Sequence, residues 1–427
     1  MAARSGISLL RSALAWHQRL APDLIEAACC GAQQSVDRCR SFFTSNPQSA
    51  ATEGPEPPSI SPLKDRGPYT SKLTNRSVIH IDGPDCIHFL QGLVTNDLAH
   101  FESEKPPTSS LPTPNPSQPA AQRPPVYAAL LTPQGRFLFD FFFYRPVEDQ
   151  EKLDREGTGP GKGETEGLFA DVDADTKDEL LQTLNRYKLR ANVGIQDVSK
   201  DFTAWARYGG AVSENPEEGF EAEAGAIGYG GTTDRAGMVA AEAEGGGWRW
   251  AKDPRLAELG LRGIFESTAP LVEADGEVDS RYYRLWRYEH GVPEGPFEIP
   301  KGEAIPLEYN LDGLHGISYE KGCYVGQELI ARTHHKGVVR KRVFPVVFGE
   351  GTQEADDQYV PPGSEIVDKQ SGKKVGKVTA ALGSRGLALL RLEAALKEGA
   401  KLEVKGKCEL KAIRPSWWPQ EWGREEA

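Results

Sequence analysis

No stretch of the 427-residue sequence approaches the roughly 18 apolar residues in a row that a membrane-spanning helix needs, so no membrane span is expected. An excess of positive charge is missing as well. Fifty Lys and Arg stand against 62 Asp and Glu, a formal net of −12, which removes broad capture of nucleic-acid phosphates as the default chemistry. Cysteine is sparse and unpatterned: Cys29, Cys30, Cys39, Cys86, Cys323 and Cys408 form neither a CxxC pair nor a disulfide framework. Scattered thiols fit a reducing compartment, where each is a buried core residue or a reactive group. One small domain is excluded too, since about 100–200 residues per domain makes this length two or three folded units.

What the sequence has in quantity is bunched. The first 22 residues carry Arg4, Arg11 and Arg19 with no acid, interleaved with Ile7, Leu9, Leu10, Leu14 and Trp16. That is transit-peptide chemistry, and the arginines break the apolar run a secretory signal requires. With the basic cluster at Arg38 and Arg40, a mitochondrial presequence is expected over 1–45, a linker over 46–67, and matrix localisation. Three stretches read as exposed insertions: 103–125 with eight prolines, the charged, Gly-rich 150–167, and 211–247 with nine glycines and eight acids against one arginine.

Between the insertions the pattern is that of folded elements. Ser77–Ile81 reads as a strand; Cys86, Phe89, Leu90 and Leu93 share one helix face behind Asp85 as N-cap. Tyr127–Leu131, the turn Thr132-Pro133-Gln134-Gly135 and Phe137–Tyr144 read as a hairpin. Leu168–Val172 is a strand, and Thr176-x-x-Glu179 is a capping box opening a helix with Leu180, Leu184 and Tyr187 on one face. Together these predict a βαβ-like mixed sheet. Another helix is expected over Arg281–Glu289. Beyond Val338 short β-like runs (Val343–Phe348, Glu365–Val367, Lys374–Thr379, Gly386–Leu390, Lys401–Val404) suggest a small barrel or sandwich, on which Trp417, Trp418 and Trp422 pack.

Three groups of residues could carry chemistry. Cys323, in Lys321-Gly322-Cys323-Tyr324-Val325-Gly326-Gln327-Glu328, precedes a helix start whose positive end, with Lys321, favours a thiolate or soft metal ligand; the bland alternative is a half-buried structural cysteine. One cysteine cannot hold a cluster alone. Asp140 falls on a strand face with Leu138, Phe142 and Tyr144, where it would accept hydrogen bonds from a heterocycle, act as a base, or pair with an arginine such as Arg145 or Arg190. The basic string Arg332, His334, His335, Lys336, Arg340, Lys341 and Arg342 could meet polycarboxylate or phosphate, or be a solvated linker. Asp97, Glu308 and Asn310 are loop polar groups that individually say little.

Taken together the sequence resembles the mitochondrial iron–sulfur assembly factor family related to bacterial YgfZ, itself similar to the folate-dependent aminomethyltransferase (T-protein) of glycine cleavage. KGCYxGQE at 321–328 carries the resemblance, supported by Phe89–Asp97, Gly135-Arg136-x-x-x-Asp140, Tyr187-x-Leu189-Arg190, Asp253-Pro254-Arg255, Gly291–Gly295 and Pro306-x-Glu308-x-Asn310. The resemblance implies a mixed α/β (α+β) fold: an aminomethyltransferase-like folate-binding region over 68–337 and a C-terminal β-barrel with its tail over 338–427. It implies a role late in [4Fe-4S] maturation, with Cys323 as the functional thiol and a transient ligand of an iron–sulfur cluster shared with an A-type carrier. Tetrahydrofolate would be held by Asp140, Asn96, Glu308, Asn310, Lys321, Tyr324, Gln327 and Arg332. The runner-up is aminomethyl transfer itself, with Asp140 matching the T-protein's catalytic aspartate. A non-catalytic adaptor that has lost the ligand is the third reading.

Overall fold

The computed structural model describes residues 60–65, 67–101, 124–145, 167–210, 250–266, 276–349 and 360–422, all within a compact unit spanning 57–427. The presequence and most of the three insertions expected from composition lie outside the described residues. Within the stretch expected to be a linker, a helical turn, α1 (Ser61–Asp65), buries Leu63.

Strands β1 (Tyr69–Lys72) and β2 (Arg76–Asp82) lead to helix α2 (Cys86–Gln91), the hairpin β3 (Val126–Leu131) and β4 (Phe137–Tyr144), then β5 (Gly167–Asp173), α3 (Lys177–Lys188) and β6 (Gly194–Asp197). Next come β7 (Phe202–Tyr208), β8 (Ala251–Lys252), β9 (Leu261–Glu266), β10 (Gly276–Glu277), α4 (Ser280–Glu289), α5 (Gly295–Glu298) and α6 (Gln327–Lys336). The last part holds β11 (Lys341–Phe348), β12 (Glu365–Asp368), β13 (Lys374–Leu382), β14 (Arg385–Arg391), α7 (Leu392–Ala395), β15 (Leu402–Val404) and β16 (Glu409–Ala412).

These strands make one sheet in the order β10-β1-β7-β9-β8, a second in the order β3-β4-β5-β2-β6, and a closed barrel β11-β14-β13-β12-β15-β16. The second sheet departs from the expected βαβ pattern, because every hydrogen-bonded pair in it is antiparallel. What survives is a split unit: β5 and β6, joined through α3, both pair with β2 and so run parallel on either side of it.

Alternation along β4 sorts its side chains between two cores. Phe139, Phe141 and Phe143 pack with Leu90 of α2 and Leu180 and Leu184 of α3. Phe142 and Tyr144 pack on the other side with Tyr127, Tyr288 and Tyr324. Burying each phenylalanine contributes about 1.5–3 kcal/mol, so this strand anchors both layers. Leu138 leaves the face assigned to it: the register shifts between Leu130 and Leu131, which oppose Phe139 and Phe137, and Leu138 joins the helix-side core while Phe137 takes the other side. Such a bulge turns one extra residue and re-aims its neighbours.

Two helix starts also differ from expectation. Asp85 precedes α2 but does not cap it with its side chain; its carboxylate accepts from the Asn192 amide instead. The Thr176 hydroxyl donates to Asp173 rather than closing a capping box.

The barrel closes because β11 pairs with both β14 and β16. Its core includes Phe344, Val346, Phe348, Ile366, Val378 and Leu390, with Trp418 buried on it, and the Trp417 Nε1 donates to the His290 carbonyl at 2.8 Å. Asn310, at φ +63°, donates to the Val343 carbonyl. Arg342 donates to Leu307, Asn310 and Asp312 while its guanidinium lies 3.3 Å from the Trp422 ring centroid. The loop after α5 is thereby tied to the start of the barrel.

Candidate functional site

The loop Lys321–Gly326 is held at both ends and open in the middle. Lys321 is buried, and its ammonium donates to the carbonyls of Gln91 (2.7 Å), Val94 (2.7 Å) and Asn96 (2.9 Å), spending all three protons on the end of α2 and the turn after it. Burial pushes it down to about 8, with Asp97 opposing. Tyr324 is buried in the core shared with Tyr127 and Ile330, and burial pushes its phenol up to about 12. The Val325 amide donates to the Gly92 carbonyl. Gly326, at φ +82°, lies so close to the hairpin turn that a Cβ there would stand 2.4 Å from the Thr132 carbonyl oxygen. Only Gly322 and Cys323 are left facing outward.

Cys323 is exposed, whereas Cys86 is buried and Cys408 is intermediate. Cys86 donates to the Ile81 carbonyl, and burial pushes its thiol up to about 12, as befits a core residue. The half-buried structural reading of Cys323 is therefore corrected by its exposure. The two aids expected for its thiol are also displaced: α6 begins only at Gln327, so Cys323 lies outside its first turn, and Lys321 is turned inward. Among the described residues no group of three or more His, Cys, Asp or Glu side chains is placed to hold a metal ion.

Asp140 lies elsewhere, in an ionic core between the two open sheets. Its side chain is fully buried; one oxygen accepts from Arg76 Nη1 at 3.0 Å and the other from the Gly295 amide at 2.8 Å. Its arginine partner is thus Arg76, not Arg145 or Arg190. Arg76 also pairs with Asp171 at 2.5 Å, Arg262 joins Asp171 and Glu294, Arg255 joins Asp253 and Glu294, and Arg287 joins Glu298. Arg262, Arg255 and Arg76 stack about the Phe142 ring at 3.8, 4.6 and 5.4 Å. Burial opposes ionisation of Glu294, but Arg262, Arg287, Arg255 and Arg76 outweigh it and hold the carboxyl well below its usual range. Burial likewise opposes the charge on Arg76, and Asp171, Asp140 and Glu294 overcome it.

The remaining expected ligand residues are dispersed. Asn96 donates to the Tyr127 and His315 carbonyls and accepts from the Asp97 amide, and Asn310 ties the loop to the barrel as described. Glu308 is half-buried, and burial pushes its carboxyl up against the pull of Lys341, Arg136 and Lys377. Gln327 starts α6, and Arg332 is exposed and pairs with Glu328 one turn back. His334 and His335 lie on α6, with His334 stacked on Tyr319 at 3.7 Å. Arg342 leaves the basic string for its buried pair with Asp312. Arg76, Arg262, Arg287 and Glu298 were not singled out by the sequence reading. Their signal was faint: charged residues inside otherwise apolar patterns.

A family model, CAF17 C-terminal beta-barrel domain, matches residues 340–420, the span of the closed barrel. The chain is similar to the human "Iron-sulfur cluster assembly factor IBA57, mitochondrial", at 33% identity over 360 residues, 82% of this chain and 85% of that one. The homologue from Mycosarcoma maydis is 30% identical over 399 residues, with the same coverages of 82% and 85%. Among solved structures, the glycine cleavage system aminomethyltransferase T from Bartonella henselae superimposes with a TM-score of 0.50 at 13% identity, covering 83% of this chain and 87% of that chain, a likeness of fold. With a free thiol on a pinned loop, a closed C-terminal barrel and relatives at this identity over most of both chains, this chain belongs to the IBA57 family of mitochondrial iron–sulfur cluster assembly factors.

Proposed function

We propose that this mitochondrial iron–sulfur assembly factor works late in [4Fe-4S] protein maturation in the matrix, lending the Cys323 thiolate to a cluster shared transiently with an A-type carrier. The observation that carries this reading is the exposure of Cys323 between anchored neighbours. A cluster commonly takes four protein thiolates, and a lone accessible cysteine supplies one, so the others come from the partner. Binding iron displaces the thiol proton. The fixed loop supports ligation by sparing the entropy of ordering the thiol at the moment of contact.

Of the residues that the resemblance gives to tetrahydrofolate, Asp140, Asn96, Asn310 and Lys321 are already engaged within the fold. The carboxylate of Asp140 is fully buried and engaged at both oxygens, and Asn96, Asn310 and Lys321 spend their donors on backbone carbonyls. We assign no step to folate, and aminomethyl transfer, which needs a reachable Asp140, gains no support.

The test mixes the purified chain anaerobically with an A-type carrier, iron and sulfide, comparing wild type with Cys323→Ser by absorption and size exclusion, with and without tetrahydrofolate. The expected result is a coloured heteromeric complex, absent for Cys323→Ser and indifferent to tetrahydrofolate. Folate-dependent aminomethyl transfer without a complex would overturn the reading.

A further inference from the structure

Glycine loses more conformational freedom on folding than any other residue, so a fold keeps it where a left-handed φ or a close contact demands it. Gly326 meets both conditions, and so does Gly135, whose φ is +78° and whose added Cβ would stand 2.6 Å from Leu329 Cβ. Gly322 meets neither. Its backbone is not left-handed, and a Cβ built on it meets nothing within 4 Å. Gly322 is exposed, as is Cys323 beside it, while Lys321 and Tyr324 on either side are buried. The amides of Gly322 and Cys323 have no acceptor among the described residues.

We infer that Gly322 is a clearance residue: the side chain missing there lets the cluster-bearing surface of a second protein close onto Cys323. The inference rests on the reading of Cys323 given above. Close approach would also bring the two free amides toward the sulfurs of the cargo cluster, where hydrogen bonds adjust its potential. A side chain at 322 acts only against this approach, as a steric block that the isolated chain does not feel.

The test uses the full chain as wild type, Gly322→Ala, Gly322→Val and Cys323→Ser. Three readouts are taken: thermal unfolding, the rate of Cys323 alkylation by iodoacetamide, and complex formation with an A-type carrier loaded with a [2Fe-2S] cluster. Gly322→Ala should unfold no lower than wild type, because it only restricts the unfolded chain. Alkylation by the small reagent should stay within about twofold in both Gly322 variants, while the complex weakens progressively, by about tenfold or more for Gly322→Val. A Gly322→Val protein that binds like wild type while Cys323→Ser does not would overturn this inference and leave the role of the thiol standing. A wild type indistinguishable from Cys323→Ser would overturn that role and the inference with it. A Gly322→Ala protein that fails to fold would also overturn it, because the glycine would then serve the fold.

Discussion

Replacing Asp140 by Asn separates a structural carboxylate from a ligand-reading one. Both groups that face it donate: Arg76 Nη1 at 3.0 Å and the Gly295 amide at 2.8 Å. An asparagine has one accepting oxygen and an amide that only donates, so one of the two contacts becomes donor against donor. The negative charge beside Arg76 is lost as well, in a site from which water is excluded. Removing one partner of a buried ion pair costs about 3–5 kcal/mol, and because Arg76 keeps Asp171 at 2.5 Å the lower figure applies, about 3 kcal/mol. At roughly 2–4 °C per kcal/mol for a large domain, the expected fall in Tm is about 6–12 °C. Thermal unfolding followed by circular dichroism measures it, alongside tetrahydrofolate binding by calorimetry. An Asp140→Asn protein that melts within about 2 °C of wild type, in a chain whose wild type binds tetrahydrofolate, would refute the argument and return Asp140 to the ligand.

Lys321→Met leaves the carbonyls of Gln91, Val94 and Asn96 without their donor. At about 1–3 kcal/mol for each buried group left unpaired, and with water reaching part of the turn, a loss of about 2–4 kcal/mol is expected in urea unfolding, with a weaker carrier complex although Cys323 is intact; an unchanged midpoint and complex would contradict it. His80 and His290 each have Nε2 buried without a partner, and burial holds both below the ordinary histidine range, against the pull of Asp82 on the first and of Glu258 and Glu289 on the second. The unfolded chain therefore takes up protons first as pH falls below about 6.5, so their contribution is full above that value and is lost toward the lower folded-state pKa values. Tm should drop between pH 7.5 and 5.5, and drop less in the His80→Gln/His290→Gln double variant; identical pH sensitivity would rule this out.

The parts of the fold legible in the sequence were those set by neighbours along the chain. Thr132-Pro133-Gln134-Gly135 gave the hairpin because a proline and a positive-φ glycine leave few other turns open. The barrel strands β11 to β15 declared themselves as short β-like runs between turn signals, whereas β16 did not. What escaped depends on residues distant in sequence. Asp140 finds Arg76 from 64 positions earlier, across β5 between them. Thr176 had the spacing of a capping box, yet a nearby Asp173 took its hydroxyl. Cys323 was legible as a motif residue, but whether it faced in or out depended on Lys321 being drawn inward by carbonyls of α2 and the turn after it, which no local pattern reveals.

The three bonds of Lys321 also set an order of events. Its partners lie 225 to 230 positions upstream, so the loop cannot be fixed until the chain has emerged past residue 321 and the early turn after α2 has waited for it. Contacts that distant are slow to form and leave intermediates in which the late segment is loose. A steadily presented thiol at position 323 is therefore a mark of completed folding, and in truncated or half-folded chains that thiol wanders.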